Sequence, residues 1–212
     1  MGAVMHTVGV DGLAPNQLQN EKSLPTLRFA AEELDITSVP AQVLQHLNLQ
    51  LSDGTENVQV TIAFDADHPV APGQFVPMDE AQEAPSVTVE GTASNTERYT
   101  YVLVDIDAPD PKAPTHAPFL HYILAGLTVD EQNVQGQSQE IVIVPYYPVT
   151  PPVGEHRYVS LLFHQQGNAP DAPDAGLTAK RSNFNVGEFA KKHKLDLVAT
   201  SSFHSHPAAQ DN

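Results

Sequence analysis

The amino-acid sequence predicts a mainly β protein with a few short helices, and three observations carry that expectation. Val58, Val60, Ile62 and Phe64 alternate with Gln59, Thr61 and Ala63, the period of a half-buried strand. Beyond them the apolar runs Tyr99–Val104, Phe119–Ala125, Ile141–Val144, Tyr158–Phe163 and Leu197–Ala199 are strand-sized. Proline- and glycine-rich stretches, Ala108–Pro118, Val144–Gly154 and Gly167–Gly176, separate them, as turns do in a predominantly antiparallel sheet protein.

The remaining elements follow in chain order. Residues 1–22 are polar and read as an N-terminal arm. Leu27, Ala30, Ala31 and Leu34 have helical spacing, with Ser23 as cap and Pro25 in the first turn, so a helix is expected over Leu24–Leu34. A second short helix is expected from Val39–Pro40, carrying Val43, Leu44 and Leu47. The stretch from about 78 to 98 reads as an insertion loop, exposed over Met78–Pro85 and Gly91–Arg98, with one alternating piece at Val87 and Val89. Late in the chain Asn185 and Glu188 form an Asx version of a capping box. Val186, Phe189, Ala190 and His193 share one helix face, and Lys191, Lys192 and Lys194 complement the negative helix end. One domain is expected over 23–206, followed by a tail at 207–212.

Composition narrows the function. The 212 residues contain no cysteine, which excludes disulfides, zinc–thiolate sites and cysteine nucleophiles and fits a cytoplasmic protein. A formal net charge of −16 argues against nucleic acid as a partner and limits membrane contact to a peripheral one. No apolar run reaches the ~18 residues of a spanning helix, and Met1–Val10 lacks the pattern of a secretory signal.

The chemistry-bearing side chains gather at strand ends. Asp105 and Asp107 leave the apolar run Tyr101–Val104 two residues apart, and an extended backbone would point both the same way. Such carboxylates need a cation, a donor or a shared proton beside them; the plainer reading is a strand-ending turn. His121 lies inside Phe119–Leu124 and His156 just ahead of Tyr158–Phe163, and a histidine among large apolar residues needs partners for its ring nitrogens. Two such histidines and an aspartate can form an anion pocket, the imidazole N–H groups donating to phosphate oxygens. They can also ligate a divalent metal, although no His-x-His or His-Glu-x-x-His pair fixes that geometry. His204-Ser205-His206 reads as part of a polar C-terminal tail. No Gly-x-Ser-x-Gly elbow or glycine-rich phosphate loop is present.

These segments together resemble a known family. Asp105-Ile106-Asp107-Ala108-Pro109 resembles the DPDAP box of phosphatidylethanolamine-binding proteins. His121, followed by Tyr122, falls where the family has its first pocket histidine. Pro151-Pro152-Val153-Gly154-Glu155-His156-Arg157-Tyr158 resembles the PPxGxxxHRY segment, and Arg181-Ser182-Asn183-Phe184 with Phe189 resembles the element leading into the family's late helix. The resemblance implies a large central antiparallel sheet packed on a smaller one with a few peripheral helices. It implies a ligand-binding pocket of Asp105, Asp107, Pro109, His121, Pro152, His156 and Tyr158, with no catalytic residue, metal or cofactor. The implied ligand is phosphate or a phospholipid head group. A serine carboxypeptidase or a signalling kinase is the implied protein partner, the first because the chain looks most similar to the fungal carboxypeptidase Y inhibitor-like branch. Three departures lie on the pocket rim: Ile106 stands where the box has proline, the turn from Pro152 to His156 is two residues shorter, and Thr150 replaces the usual glycine ahead of the double proline.

Overall fold

A computed structural model describes residues 39–52, 58–94, 96–129, 140–167 and 169–208, so the arm 1–22 and the helix expected over Leu24–Leu34 lie outside the described residues. The described elements are α1 (Ala41–His46), β1 (Val58–Ala63), β2 (Gln74–Phe75), a 3-10 turn (Met78–Ala81), β3 (Ser86–Gly91), β4 (Tyr99–Asp105), β5 (Phe119–Leu127), β6 (Ile141–Val144), β7 (His156–Gln165), α2 (Ala175–Ala179), α3 (Val186–His193) and β8 (Leu195–Ser205). They form two sheets. A small one pairs β1 with β3 antiparallel, Val60 opposite Val89. A six-stranded one runs β2-β8-β7-β4-β5-β6 and is antiparallel except where the two-residue β2 lies parallel to β8.

The period-2 pattern sorts side chains to the two faces of the large sheet. Tyr101, Leu103, Tyr122, Leu162 and Phe203 pack with Val60, Ile62 and Val89 of the small sheet. Val102, Val104, Ile123 and Leu161 face the other way and pack with Leu44 and Leu47 from the α1 region and with Val186, Phe189 and Ala190 of α3. Strand β4 is therefore buried along its whole length, which explains why it reads as a continuous apolar run.

Two expectations are corrected. The stretch 78–98 is not a simple exposed loop. It contains the 3-10 turn, with Ala81 fully buried, and β3, with Val89 facing the core. Its acidic residues Asp79, Glu80, Glu83 and Glu90 are the exposed part. His204 and Ser205 do not belong to a tail either. Strand β8 continues to Ser205 with strict alternation of burial, Ser205 opposite His156 and Phe203 opposite Tyr158. The serines at 201, 202 and 205 interrupt its hydrophobicity without interrupting its pairing.

Helix α3 forms as its capping signal requires: the Asn185 Oδ1 accepts from the Glu188 N–H at 3.0 Å, and Lys194 closes the helix at φ +51°. It approaches the turn that follows α1 closely at Gly187, where an added Cβ would lie 2.8 Å from the Asn48 carbonyl oxygen and 2.9 Å from its Cβ. Gly187→Ala would gain about 1 kcal/mol of helix propensity, but a backbone carbonyl cannot yield as a side-chain tip does. The expected net result is destabilisation of about 1–3 kcal/mol, read from urea unfolding. A variant as stable as the parent would show that the Leu47–Asn48 turn is free to retreat.

Candidate functional site

The site is built where β4, β5 and β7 end. Asp105 is the last residue of β4 and pairs with Phe119 of β5 and Tyr158 of β7. Its Oδ1 accepts the Asp107 N–H at 2.8 Å, an Asx turn that ends the strand. Its Oδ2 accepts from the His156 Nδ1 at 2.7 Å, with both side chains buried. His121 occupies a β-bulge. Tyr122 pairs with Leu103 and Leu120 with Val104, which leaves His121 without a partner in β4. An extra residue re-aims a side chain, and this one brings His121 into the same cavity as Asp105 and His156.

That cavity measures about 140 Å³ and is lined by Asp105, Pro109, His121, Pro152, His156 and Tyr158, together with Ala108, His116, Phe119, Tyr147 and Thr150. Asp107 is the expected lining residue that the cavity lacks. The backbone stops being extended at Asp105, so the two carboxylates diverge. Asp107 instead accepts from Arg157 three times: from the backbone N–H at 2.9 Å, Nε at 2.8 Å and the second guanidinium nitrogen at 2.8 Å. Burial raises the Asp107 pKa, but the Arg157 hydrogen bonds and charge outweigh it and hold it below the ordinary carboxylate value.

The two histidines are in different states. His156 donates from Nδ1 to Asp105 and from Nε2 to the Val153 carbonyl at 3.1 Å. Two acceptors require two N–H groups, so the ring is an imidazolium. Burial opposes that charge, but the Asp105 carboxylate, the Val153 carbonyl and the Asp107 charge raise its pKa above the ordinary histidine value. The shortened turn makes this possible: Gly154, at φ +74°, folds the chain so that Val153 returns its carbonyl to a ring three residues on. Neither nitrogen of His156 is left to donate to a guest, contrary to the sequence expectation.

His121 donates from Nδ1 to the Tyr147 carbonyl at 2.7 Å, and its own carbonyl accepts the Tyr147 N–H at 2.8 Å. Phe119, Tyr147 and Tyr158 surround the ring edge-to-face at centroid distances of 5.2, 5.8 and 5.2 Å. Burial pushes its pKa down to about 4, with the Tyr147 carbonyl and Asp105 opposing only in part. The ring is therefore neutral at pH 7 and protonated on Nδ1. Burial, then the Asp105 charge, also raises the pKa of the Tyr158 hydroxyl, which stays protonated. Arg181 holds this wall together: its guanidinium donates to the carbonyls of Leu120 and His121 at 3.1 Å each and of Pro145 at 2.8 Å, and lies 5.4 Å from the Tyr147 ring centroid. Sequence reasoning missed Tyr147 and Arg181 as parts of the site. An aromatic in a proline-rich segment and an arginine beside a capping motif signalled them only weakly.

Among the described residues no three His, Asp or Glu side chains cluster in a way that would hold a metal ion. No described helix is long and apolar enough to cross a membrane.

The chain is a two-sheet β fold with a small cavity at one end of β4, β5 and β7, and comparison with known proteins gives its family. The phosphatidylethanolamine-binding protein family model matches residues 66–203, and the chain belongs to that family. It is 31% identical over 141 residues to the MOTHER of FT and TFL1 homolog 2 protein of Oryza sativa, covering 66% of this chain and 76% of that protein. It is 27% identical over 170 residues to the CENTRORADIALIS-like protein of Arabidopsis thaliana, covering 79% of this chain and 91% of that one. In fold it is similar to a carboxypeptidase Y inhibitor crystallised with its cognate proteinase (TM-score 0.61, 21% identity, 79% of this chain and 91% of that chain). It is also similar to a phosphatidylethanolamine-binding protein from Plasmodium vivax (TM-score 0.59, 17% identity, 76% and 88%).

Proposed function

We propose that this protein is a cytoplasmic regulatory module that holds a small anion or phospholipid head group in the Asp105–His121–His156 cavity and carries out no turnover. The observation behind this reading is convergence: side chains from β4, β5 and β7 meet in one pocket that Pro109, Pro152 and Tyr158 also line. Size favours a head group over a whole lipid, since about 140 Å³ is well below the ~300–1,000 Å³ of sites for drug-sized ligands. Binding is favoured over catalysis because both His156 nitrogens are engaged and the Thr150 hydroxyl in the lining donates to the Pro148 carbonyl rather than to His121. No nucleophile–base pair is assembled there.

Millimolar phosphate or O-phosphoethanolamine is expected to shift the ring resonances of His121 in NMR spectra and leave His193, on α3, unmoved. If no site ring responds to either compound, the reading fails. Serine carboxypeptidase inhibition is the alternative implied by the sequence resemblance, and the fungal-inhibitor branch belongs with it. It predicts inhibition by the intact chain and its loss on deleting residues 1–22.

A further inference from the structure

We infer that His121 makes the site selective for a guest that carries its own hydrogen-bond donor, so that hydrogen phosphate or a phosphomonoester monoanion is taken and sulfate or a simple phosphodiester is not. The inference rests on the binding reading above and narrows it to a ligand class. The geometry assigns the selectivity to one atom. The 2.7 Å bond to the Tyr147 carbonyl must be donated by Nδ1–H, because a carbonyl only accepts. A neutral ring protonated there leaves Nε2 as a lone pair, and Nε2 is the ring nitrogen left for a guest. The aromatic enclosure by Phe119, Tyr147 and Tyr158 keeps the ring from gaining a second proton. His156 does not compensate, since its two N–H groups already go to Asp105 and Val153.

An oxyanion oxygen without a proton would therefore face a lone pair at His121, whereas a P–OH group would donate to it. Sulfate at neutral pH has no such hydroxyl. Inorganic phosphate keeps at least one. A phosphomonoester loses its last one with a pKa of about 6. A diester never has one, so an ethanolamine-type head group can satisfy Nε2 only through its ammonium. The charged and titratable groups facing His121 are Asp105 from β4, His156 and Tyr158 from β7, Tyr147 and Arg181 from the wall beside it, and His116 on the rim. Titration of these groups acts in the same direction on phosphate and methyl phosphate, which both pass from monoanion to dianion over this range, so inorganic phosphate serves as the reference for methyl phosphate.

The test is calorimetry on the full chain with inorganic phosphate, sulfate, methyl phosphate and dimethyl phosphate at pH 5.5 and 7.5. Phosphate is expected to bind at least roughly tenfold more tightly than sulfate or dimethyl phosphate at both pH values, the cost of leaving one buried acceptor unpaired. Methyl phosphate should match phosphate at pH 5.5 and fall about tenfold behind it at pH 7.5, as its hydroxyl is lost. In long-range ¹H–¹⁵N spectra phosphate should shift Nε2 of His121 while the Nδ1–H tautomer persists. Equal affinity for sulfate and phosphate, or methyl phosphate tracking phosphate across the range, overturns the selectivity and leaves the binding reading standing. If neither the four anions nor O-phosphoethanolamine binds or moves a site ring, the binding reading itself falls.

Discussion

Asp105→Ala is expected to lower the free energy of unfolding by about 3–5 kcal/mol at pH 5.5, the loss associated with removing one partner of a buried ion pair. The carboxylate does two things at once. It caps the Asp107 N–H through Oδ1 and neutralises the His156 imidazolium through Oδ2. Alanine removes both in a place with almost no access to water, so the ring must either lose its proton or stay charged and uncompensated. Asp105→Asn separates the two roles. Its amide oxygen can keep the turn, and its NH2 group can donate to a neutral His156 at Nδ1 while Nε2–H still reaches Val153. The sign of the pH dependence follows from linkage. The folded pKa of His156 is raised, so its ion pair contributes fully below the unfolded value near 6.5 and is lost as pH rises through the folded pKa. The gap between the wild-type protein and Asp105→Asn should therefore be widest near pH 5.5 and close toward pH 9, measured by urea unfolding. A gap of constant size would mean that His156 is neutral throughout and that its two contacts are not both donated.

How much of this site was legible depends on which physical signal carried each residue. Asp105, His121 and His156 stood out because a polar group inside an apolar run must be satisfied somewhere. The small sheet was legible where its strands alternate, at Val58–Phe64 and at Val87 and Val89. The bulge at His121 was not, because it is defined by the register of β4 against β5, and a single strand does not state its partner's register. Asp107 was misplaced for a related reason: the i, i+2 rule holds only while the chain stays extended, and the Asx turn at Asp105 ends that. The charge state of His156 depends on a carbonyl, Val153, and backbone groups leave no trace in side-chain chemistry. Family resemblance named Asp107 among the lining residues, which the cavity lacks, and the departure in the Pro152–His156 turn decides what one of the histidines can still donate.

The opposite titration belongs to His121. Its folded pKa is pushed down to about 4 by burial among Phe119, Tyr147 and Tyr158, against an unfolded value near 6.5. In that window the unfolded chain binds a proton that the folded chain refuses, so stability rises with pH. Acidification from pH 7 to 4 should therefore remove on the order of 3 kcal/mol through this ring alone, in a range where His156 is already protonated when folded. Other carboxylates and histidines also titrate between these limits, so the contribution is read as a difference. His121→Phe keeps an aromatic among its neighbours and cannot take up a proton. It should be less stable than the wild type at pH 7, having lost the hydrogen bond to the Tyr147 carbonyl, and that deficit should shrink or reverse by pH 4.5. Urea unfolding of the two proteins at half-unit intervals gives the comparison. Parallel curves would show that the His121 ring titrates as an ordinary solvated imidazole, and the lone pair assigned to Nε2 would then have no basis at mildly acid pH.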